Sequence, residues 1–205
     1  PSAADGAPGS VDQRARRALR DQLRDARRDL PRRERERANR RIADRAARER
    51  ALRSAHRIAA YLASDGETDV AALIDWALTA GKEVYLPIIR RDRHLDFARY
   101  THDTPLAPNR LGILEPAPAG RRLIEPMRLD IVLTPLVGFD DRANRLGMGG
   151  GFYDRTFARL LAFEAWARPK LLGVAFECQR LDAIGTAPWD VPLWRVITEA
   201  NRYRR

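Results

Sequence analysis

Four glycines fall within five residues, Gly147 and Gly149 to Gly151, inside the stretch Arg145-Leu-Gly-Met-Gly-Gly-Gly-Phe-Tyr-Asp154. Glycine lets a backbone take positive φ angles and come close to a ligand. A helical pattern follows at once, with Phe152, Tyr153, Phe157, Leu160 and Leu161 on one side. The start of such a helix offers N–H groups and the positive end of a dipole to a phosphate. Arg145 brings a fixed positive charge, and Asp154 in the first turn can hold a metal ion bridging that phosphate. The chemistry suggested is nucleotide-phosphate binding; the plainer alternative is a tight strand-to-helix turn with an acid near the helix start. Two common loops are excluded. No Gly-Lys-Ser/Thr triplet of a P-loop occurs, and Phe152 stands where a dinucleotide fingerprint needs glycine.

Other polar residues have candidate roles with equally plain alternatives. Glu67 follows an apolar run and sits beside Gly66, where a carboxylate can accept from a substrate ring N–H or serve as a helix-start acid. Asp190, in Trp189-Asp-Val-Pro192, is a second candidate metal ligand or a turn residue before proline. Arg16 and Arg20 are one helical turn apart and can clamp phosphates together or simply face water. No Gly-x-Ser-x-Gly elbow occurs, and His56, His94, His102 and the lone Cys178 lack zinc spacing. Chemistry is therefore expected to rest on electrostatic positioning around a phosphorylated intermediate, not on attack by a side chain.

The elements that must position these residues alternate along the chain. Residues 11–30 carry Ala15, Leu19, Leu23, Ala26 and Leu30 at helical spacing, and Pro31 opens a second helix to about Ala55. Strands are expected at Ile58–Leu62, Val84–Ile89, Leu95–Tyr100, Leu129–Thr134, Lys170–Phe176 and Arg195–Thr198. Helices are expected from Val70 to Ala80, stopped by Gly81, and from Gly151 to about Ala165. The segment Thr101–Arg121, rich in proline and glycine, reads mostly as loop, as does Pro135–Arg145. The expectation is α/β: residues 1–10 a flexible tail, and 11–205 a single domain with a mainly parallel sheet flanked by helices and an N-terminal helical hairpin. Its ligands should bind beyond the carboxyl ends of the strands.

Composition bounds the partners. The net charge of +10 lies almost wholly in residues 1–57, which hold 18 arginines against 9 acids. Those charges alternate in sign, as on a solvated helix face, and lack the aromatic interleaving of a single-strand nucleic-acid groove. No apolar run approaches the ~18 residues of a membrane span, and Pro1–Ser10 lacks the pattern of a secretory signal. The expectation is a cytoplasmic monomer with neither nucleic acid nor membrane as partner.

Several segments together resemble the 5-formyltetrahydrofolate cyclo-ligase family. They are Asp130-Ile-Val-Leu-Thr-Pro-Leu-Val-Gly-Phe-Asp140, Asn144 to Arg155, Ala15-Arg-Arg-Ala-Leu-Arg20, Tyr61-Leu62 with Gly66-Glu67, Leu111-Gly-Ile113 with Glu115-Pro116, and Trp189-Asp-Val-Pro-Leu193. The resemblance implies an ATP- and Mg²⁺-dependent conversion of 5-formyltetrahydrofolate to 5,10-methenyltetrahydrofolate, through a phosphorylated formyl oxygen. By resemblance, Arg16, Arg20, Arg145, Leu146, Gly147, Met148, Gly149, Gly150, Gly151, Phe152 and Tyr153 bind ATP. Leu62, Glu67 and the run from Met148 to Phe152 hold the folate, while Asp154 and Asp190 hold Mg²⁺. Glu67, Arg145 and Tyr153 would act in catalysis. The chain departs from the family at three places: Arg16 where lysine is frequent, Gly150 where some members carry lysine, and Trp194 where an acid is common. The alternatives are a catalytically lapsed folate-binding relative and a nucleic-acid-binding protein using the basic helices.

Overall fold

Short apolar runs buried on both faces form the middle of a parallel sheet, because they keep no polar face for water. The computed structural model describes residues 8–162 and 168–204. In chain order its strands are β1 (Arg57–Ala59), β2 (Glu83–Ile89), β3 (Leu95–Tyr100), β4 (Leu106–Pro108), β5 (Leu114–Pro116) and β6 (Leu123–Ile124). They continue with β7 (Ile131–Thr134), β8 (Gly138–Phe139), β9 (Arg145–Leu146), β10 (Lys170–Val174), β11 (Arg195–Ile197) and β12 (Arg202–Arg204). Eight of them form one sheet in the order β12-β11-β10-β7-β1-β2-β3-β6. Neighbours from β11 to β2 run parallel, and antiparallel strands flank them on both sides.

Every residue of β7 is buried, and its side chains alternate as strand geometry requires. Ile131 and Leu133 enter one apolar cluster and Val132 the other. The helices are α1 (Pro8–Arg28), α2 (Arg32–Ala47), α3 (Arg50–Ser54), α4 (Ala71–Thr79) and α5 (Phe152–Thr156). Ile42 and Ala46 of α2, with Leu73 and Ile74 of α4, cover the first face. Leu136, Phe139 and Phe157, between β7 and β10, cover the second. The α/β fold, the mainly parallel sheet and the N-terminal helix pair thus agree with the sequence pattern. No helix among the described residues is long and apolar enough to cross a membrane.

The differences lie mostly in the segments that join the strands. Helix α1 begins at Pro8, and residues 1–7 of the expected tail lie outside the described residues. The second helix breaks after Ala47 instead of reaching Ala55. There Glu49 leaves the helical region at ψ 122° and turns a buried carboxylate toward Arg195 and Arg202, the latter 2.8 Å away. The expected loop Thr101–Arg121 contains the β4–β5 hairpin. Pro108 and Pro116 disguise it, yet each ends its strand, where a missing N–H is tolerated. A second hairpin, β8–β9, occupies the expected Pro135–Arg145 loop. Asp140 Oδ1 holds its turn by accepting from the N–H groups of Arg142 and Asn144, both at 3.0 Å.

The helix expected from Gly151 to Ala165 is a single turn, α5, followed by a 3₁₀ segment Ala158–Ala162. Residues 163–165 lie outside the described residues. Thr156 Oγ1 donates back to the Phe152 carbonyl at 2.7 Å and accepts the Leu95 N–H at 2.8 Å. That competition with the helix ladder ties the turn to β3 and ends it early.

Candidate active site

The loops after β1 and β7 open, with α1, onto one cleft of about 840 Å³. It brings together every site residue expected from the sequence. Arg16 and Arg20 come from α1, Leu62 and Glu67 from the loop after β1, Arg145 to Asp154 from β9 through α5, and Asp190 from the loop before β11. Four large apolar side chains at the mouth were not expected. Leu111, Ile113 and Leu114 of the β4–β5 hairpin, and Trp189, are 56%, 40%, 49% and 69% exposed. Apolar surface gathered at a cleft mouth is what a partly aromatic ligand would cover.

Glu67 owes its place to a turn of two left-handed residues, Asp65 (φ 51°) and Gly66 (φ 73°). Its Oε2 accepts from the Ser64 backbone N–H at 3.1 Å and from Ser64 Oγ at 3.3 Å. The helix-start role falls to Asp69 instead, whose Oδ1 accepts from the Ala71 N–H at 2.9 Å. Burial pushes the Glu67 pKa up, and the Ser64 hydrogen bond and the Arg27 charge pull only part of the way back. Burial, then the Glu67 charge, raise the Tyr153 phenol well above its ordinary value, with Arg145 opposing. Tyr153 is therefore a neutral hydroxyl donor at any working pH.

A raised Glu67 pKa has a kinetic consequence if its carboxylate form binds substrate. The acid limb of kcat/KM should lie above the ordinary glutamate value of 4.5, because that limb reports the free protein. A pH–rate profile in which Glu67→Gln retains an identical limb would contradict this assignment.

The glycine loop works differently from the sequence expectation. A helix of one turn has little dipole to offer an anion. What the loop offers is a concave run of backbone donors, with Gly149 at φ 97° and Gly151 at φ 66°. Among the described residues, no group accepts from the N–H of Gly149, Gly150 or Gly151. Such a nest suits phosphate oxygens. Guanidinium groups frame it: Arg20 Nε donates to the Gly147 carbonyl at 2.8 Å, and Arg155 to the Gly150 carbonyl at 2.7 Å. A Cβ on Gly150 would fall 2.4 Å from Cε2 of the Phe152 ring. If Phe152 lines the folate, as the resemblance implies, Gly150→Lys should weaken folate binding by roughly three- to tenfold, since overpacking forces the ring aside; calorimetry with folate would check it.

The two candidate metal ligands are each held through one oxygen. Asp154 Oδ1 accepts from Arg145 and from the Val191 N–H, the latter at 3.1 Å. Asp190 Oδ2 accepts from the Ala187 N–H at 2.8 Å and lies 3.8 Å from Arg16. Arg145 also places its guanidinium carbon 5.7 Å from the centroid of the Tyr153 ring. A second, polar hollow of about 670 Å³ adjoins the cleft along α1, sharing Arg16, Arg20 and Trp189 with it. The basic helix is thus turned toward the cleft. Arg24, Arg27 and Arg28 are engaged by one carboxylate, Asp65, which weakens a nucleic-acid reading of the helix.

A cleft at the carboxyl ends of parallel strands, with a glycine nest, guanidinium groups and the carboxylate of Glu67, defines an α/β protein with a site suited to an anionic ligand. The 5-formyltetrahydrofolate cyclo-ligase family matches residues 12–199. The chain is 41% identical over 149 residues to the 5-formyltetrahydrofolate cyclo-ligase of Haemophilus influenzae, covering 71% of this chain and 76% of that one. It is 40% identical over 151 residues to the Escherichia coli protein of the same name, covering 72% and 80%. The solution structure of Aquifex aeolicus 5,10-methenyltetrahydrofolate synthetase superposes with a TM-score of 0.78 at 26% identity, over 92% of each chain. A 5,10-methenyltetrahydrofolate synthetase from Mycoplasma pneumoniae gives 0.70 at 25% identity, over 90% of this chain and 98% of that one. The chain belongs to the 5-formyltetrahydrofolate cyclo-ligase family, and it is an enzyme of the ligase class.

Proposed function

We propose that the protein uses ATP to close the ring of 5-formyltetrahydrofolate, giving 5,10-methenyltetrahydrofolate, ADP and phosphate. The observation that carries this reading is that Glu67 and the glycine nest share one cleft in a chain of this family. Glu67 accepts hydrogen bonds from the polar edge of the pterin, and Leu62 and the run from Met148 to Phe152 line the folate. The nest, Arg145, Arg16 and Arg20 take the triphosphate. The formyl oxygen attacks the γ-phosphorus, and the bond to the ADP oxygen breaks. N10 then closes on the formyl carbon, its proton leaves, and the carbon–oxygen bond to phosphate breaks. No side chain is covalently modified, so the rate enhancement comes from alignment and from fixed charge at the phosphoryl oxygens. Arg145 and the neutral Tyr153 hydroxyl are the groups placed to act there.

The carboxylates suit magnesium. Among the described residues no cluster of three ligand side chains occurs, and magnesium beside a nucleotide needs only one or two carboxylates, with phosphates and waters completing its shell. Asp154 and Asp190, each held through one oxygen, would hold it, and it would neutralise charge developing on the phosphates. We take the working form to be a cytoplasmic monomer whose partners are these two substrates, with neither nucleic acid nor membrane.

The test is the ultraviolet absorbance of methenyltetrahydrofolate during incubation with 5-formyltetrahydrofolate and MgATP. A rise that needs protein, ATP and Mg²⁺ together supports the reading. Tight folate binding with no rise under any condition rejects it in favour of a lapsed, folate-holding relative.

A further inference from the structure

We propose that Arg27 is a positioning residue for the folate side of the cleft, acting through Asp65 on Glu67. This deepens the proposed function and rests on Glu67 holding the pterin. Arg27 is fully buried, unlike its neighbours in an arginine-rich helix. All three guanidinium nitrogens are used. Nε donates to the Asp65 carbonyl at 3.0 Å, Nη2 to the Asp65 carboxylate at 3.0 Å, and Nη1 to the Leu136 carbonyl at 3.3 Å.

Those acceptors belong to the two loops that build the cleft. Asp65 lies two residues before Glu67, while Leu136 lies where the chain leaves β7 toward the glycine loop. Gln179 Nε2 holds the same second loop, donating to the carbonyls of Leu136 at 3.1 Å and Val137 at 2.9 Å. The first loop needs more help, because Asp65 is left-handed (φ 51°), a region that L-residues avoid. Arg24 at 2.8 Å and Arg28 at 2.7 Å complete the grip on the Asp65 carboxylate. Burial works against that carboxylate, and the hydrogen bonds from Arg24 and Arg28 outweigh it, leaving the Asp65 pKa below its ordinary value.

Charge reinforces geometry. Arg27 from α1, Asp65 and Tyr61 from the chain after β1, and Tyr153 from α5 are ionisable groups that interact electrostatically with Glu67. Arg27 supplies the positive charge among them that favours the Glu67 carboxylate. A residue that merely anchored α1 would matter equally to both substrates. A residue that sets Glu67 matters first to the folate.

The experiment compares Arg27→Gln and Asp65→Asn with the unaltered full-length chain, by steady-state kinetics for each substrate across pH, with unfolding followed in parallel. The KM for 5-formyltetrahydrofolate should rise about tenfold in both, the scale of one charged hydrogen bond. The KM for MgATP should stay within about twofold, as for an uncoupled site. The acid limb of kcat/KM should move to higher pH in Arg27→Gln, since a charge favouring the carboxylate is gone. In a Glu67→Gln background the Arg27 change should add less than about twofold. If Arg27→Gln fails to fold, Asp65→Asn reads the same split at a partly exposed carboxylate. Equal losses toward both substrates, or an unmoved folate KM, overturn the assignment. If Glu67→Gln alone leaves the folate KM unchanged, the reading of Glu67 falls and the Arg27 assignment falls with it.

Discussion

Glu67→Gln should lower the affinity for 5-formyltetrahydrofolate by roughly 30- to 150-fold, while the folded protein becomes no less stable at neutral pH. The amide keeps an oxygen for the Ser64 N–H and hydroxyl, which now reach Glu67 at 3.1 Å and 3.3 Å, so the loop can retain its shape. What it cannot keep is the charge and the acceptor facing the ligand, worth about 2–3 kcal/mol for a hydrogen bond to a charged group. The stability half follows from the direction of the pKa shift. A carboxyl whose pKa is raised on folding holds its proton more tightly in the native state. Its contribution is fully present below the ordinary value of 4.5 and is lost as pH rises through the raised native value. Above that window the charged glutamate is a burden that glutamine lacks. Thermal unfolding at neutral pH and calorimetry with folate test the two halves separately. A variant that binds folate normally would remove Glu67 from the site.

The second large effect is expected at Asp154. Asp154→Asn should slow turnover at least about a hundredfold, the scale of losing one preorganised electrostatic group at a transition state. The half-saturating Mg²⁺ concentration should rise with it. Asparagine is the informative substitution, because alanine does two things at once. Arg145 is only 6% exposed, and its partners are Asp154, the Val191 carbonyl at 3.4 Å and the Tyr153 ring. Alanine would strand that cation and destabilise the loop whatever the role of the metal. Asparagine still accepts from Arg145 and from the Val191 N–H, yet it is a poor magnesium ligand. A magnesium titration of initial rate decides the matter: an Asn variant with the parental titration and rate has no metal duty at this position.

Much of this was legible in the sequence, for identifiable reasons. The central strands are short apolar runs with nothing polar to present, and Gly81 ends α4 as a left-handed stop (φ 70°). The glycine cluster marked a loop that lines the cleft through composition alone. Its mechanism was not legible, since the apolar spacing from Phe152 to Leu161 fits a long helix. Only the contact of Thr156 with Leu95, sixty-one residues away, cuts it to one turn. The β4–β5 lip was hidden by prolines that read as loop markers unless the pairing is known. Arg27 was hidden in a crowd of arginines, although one signal existed. It stands four residues after Leu23 and three before Leu30, on the apolar stripe of α1 where a surface arginine has no place.

That stripe is narrow, and its narrowness bears on how the protein comes apart. Leu23 and Leu19 pack with Val137, Leu146, Leu181 and Ile184 in a small cluster, apart from the two that cover the sheet. Guanidinium bonds to loops add to the attachment of α1: Arg16 to Gly185, Arg20 to Gly147, Arg24 and Arg28 to Asp65, and Arg27 to Asp65 and Leu136. Among the described residues the two clusters that cover the sheet take no buried side chain from α1, so detachment of the helix is expected as a partial opening short of global unfolding. In the proposed site, such an excursion would withdraw Arg16, Arg20 and the support of Glu67 in one movement. The Arg27 change alone is a different event, because Arg20, Arg24 and Arg28 keep their own bonds and hold the helix in place.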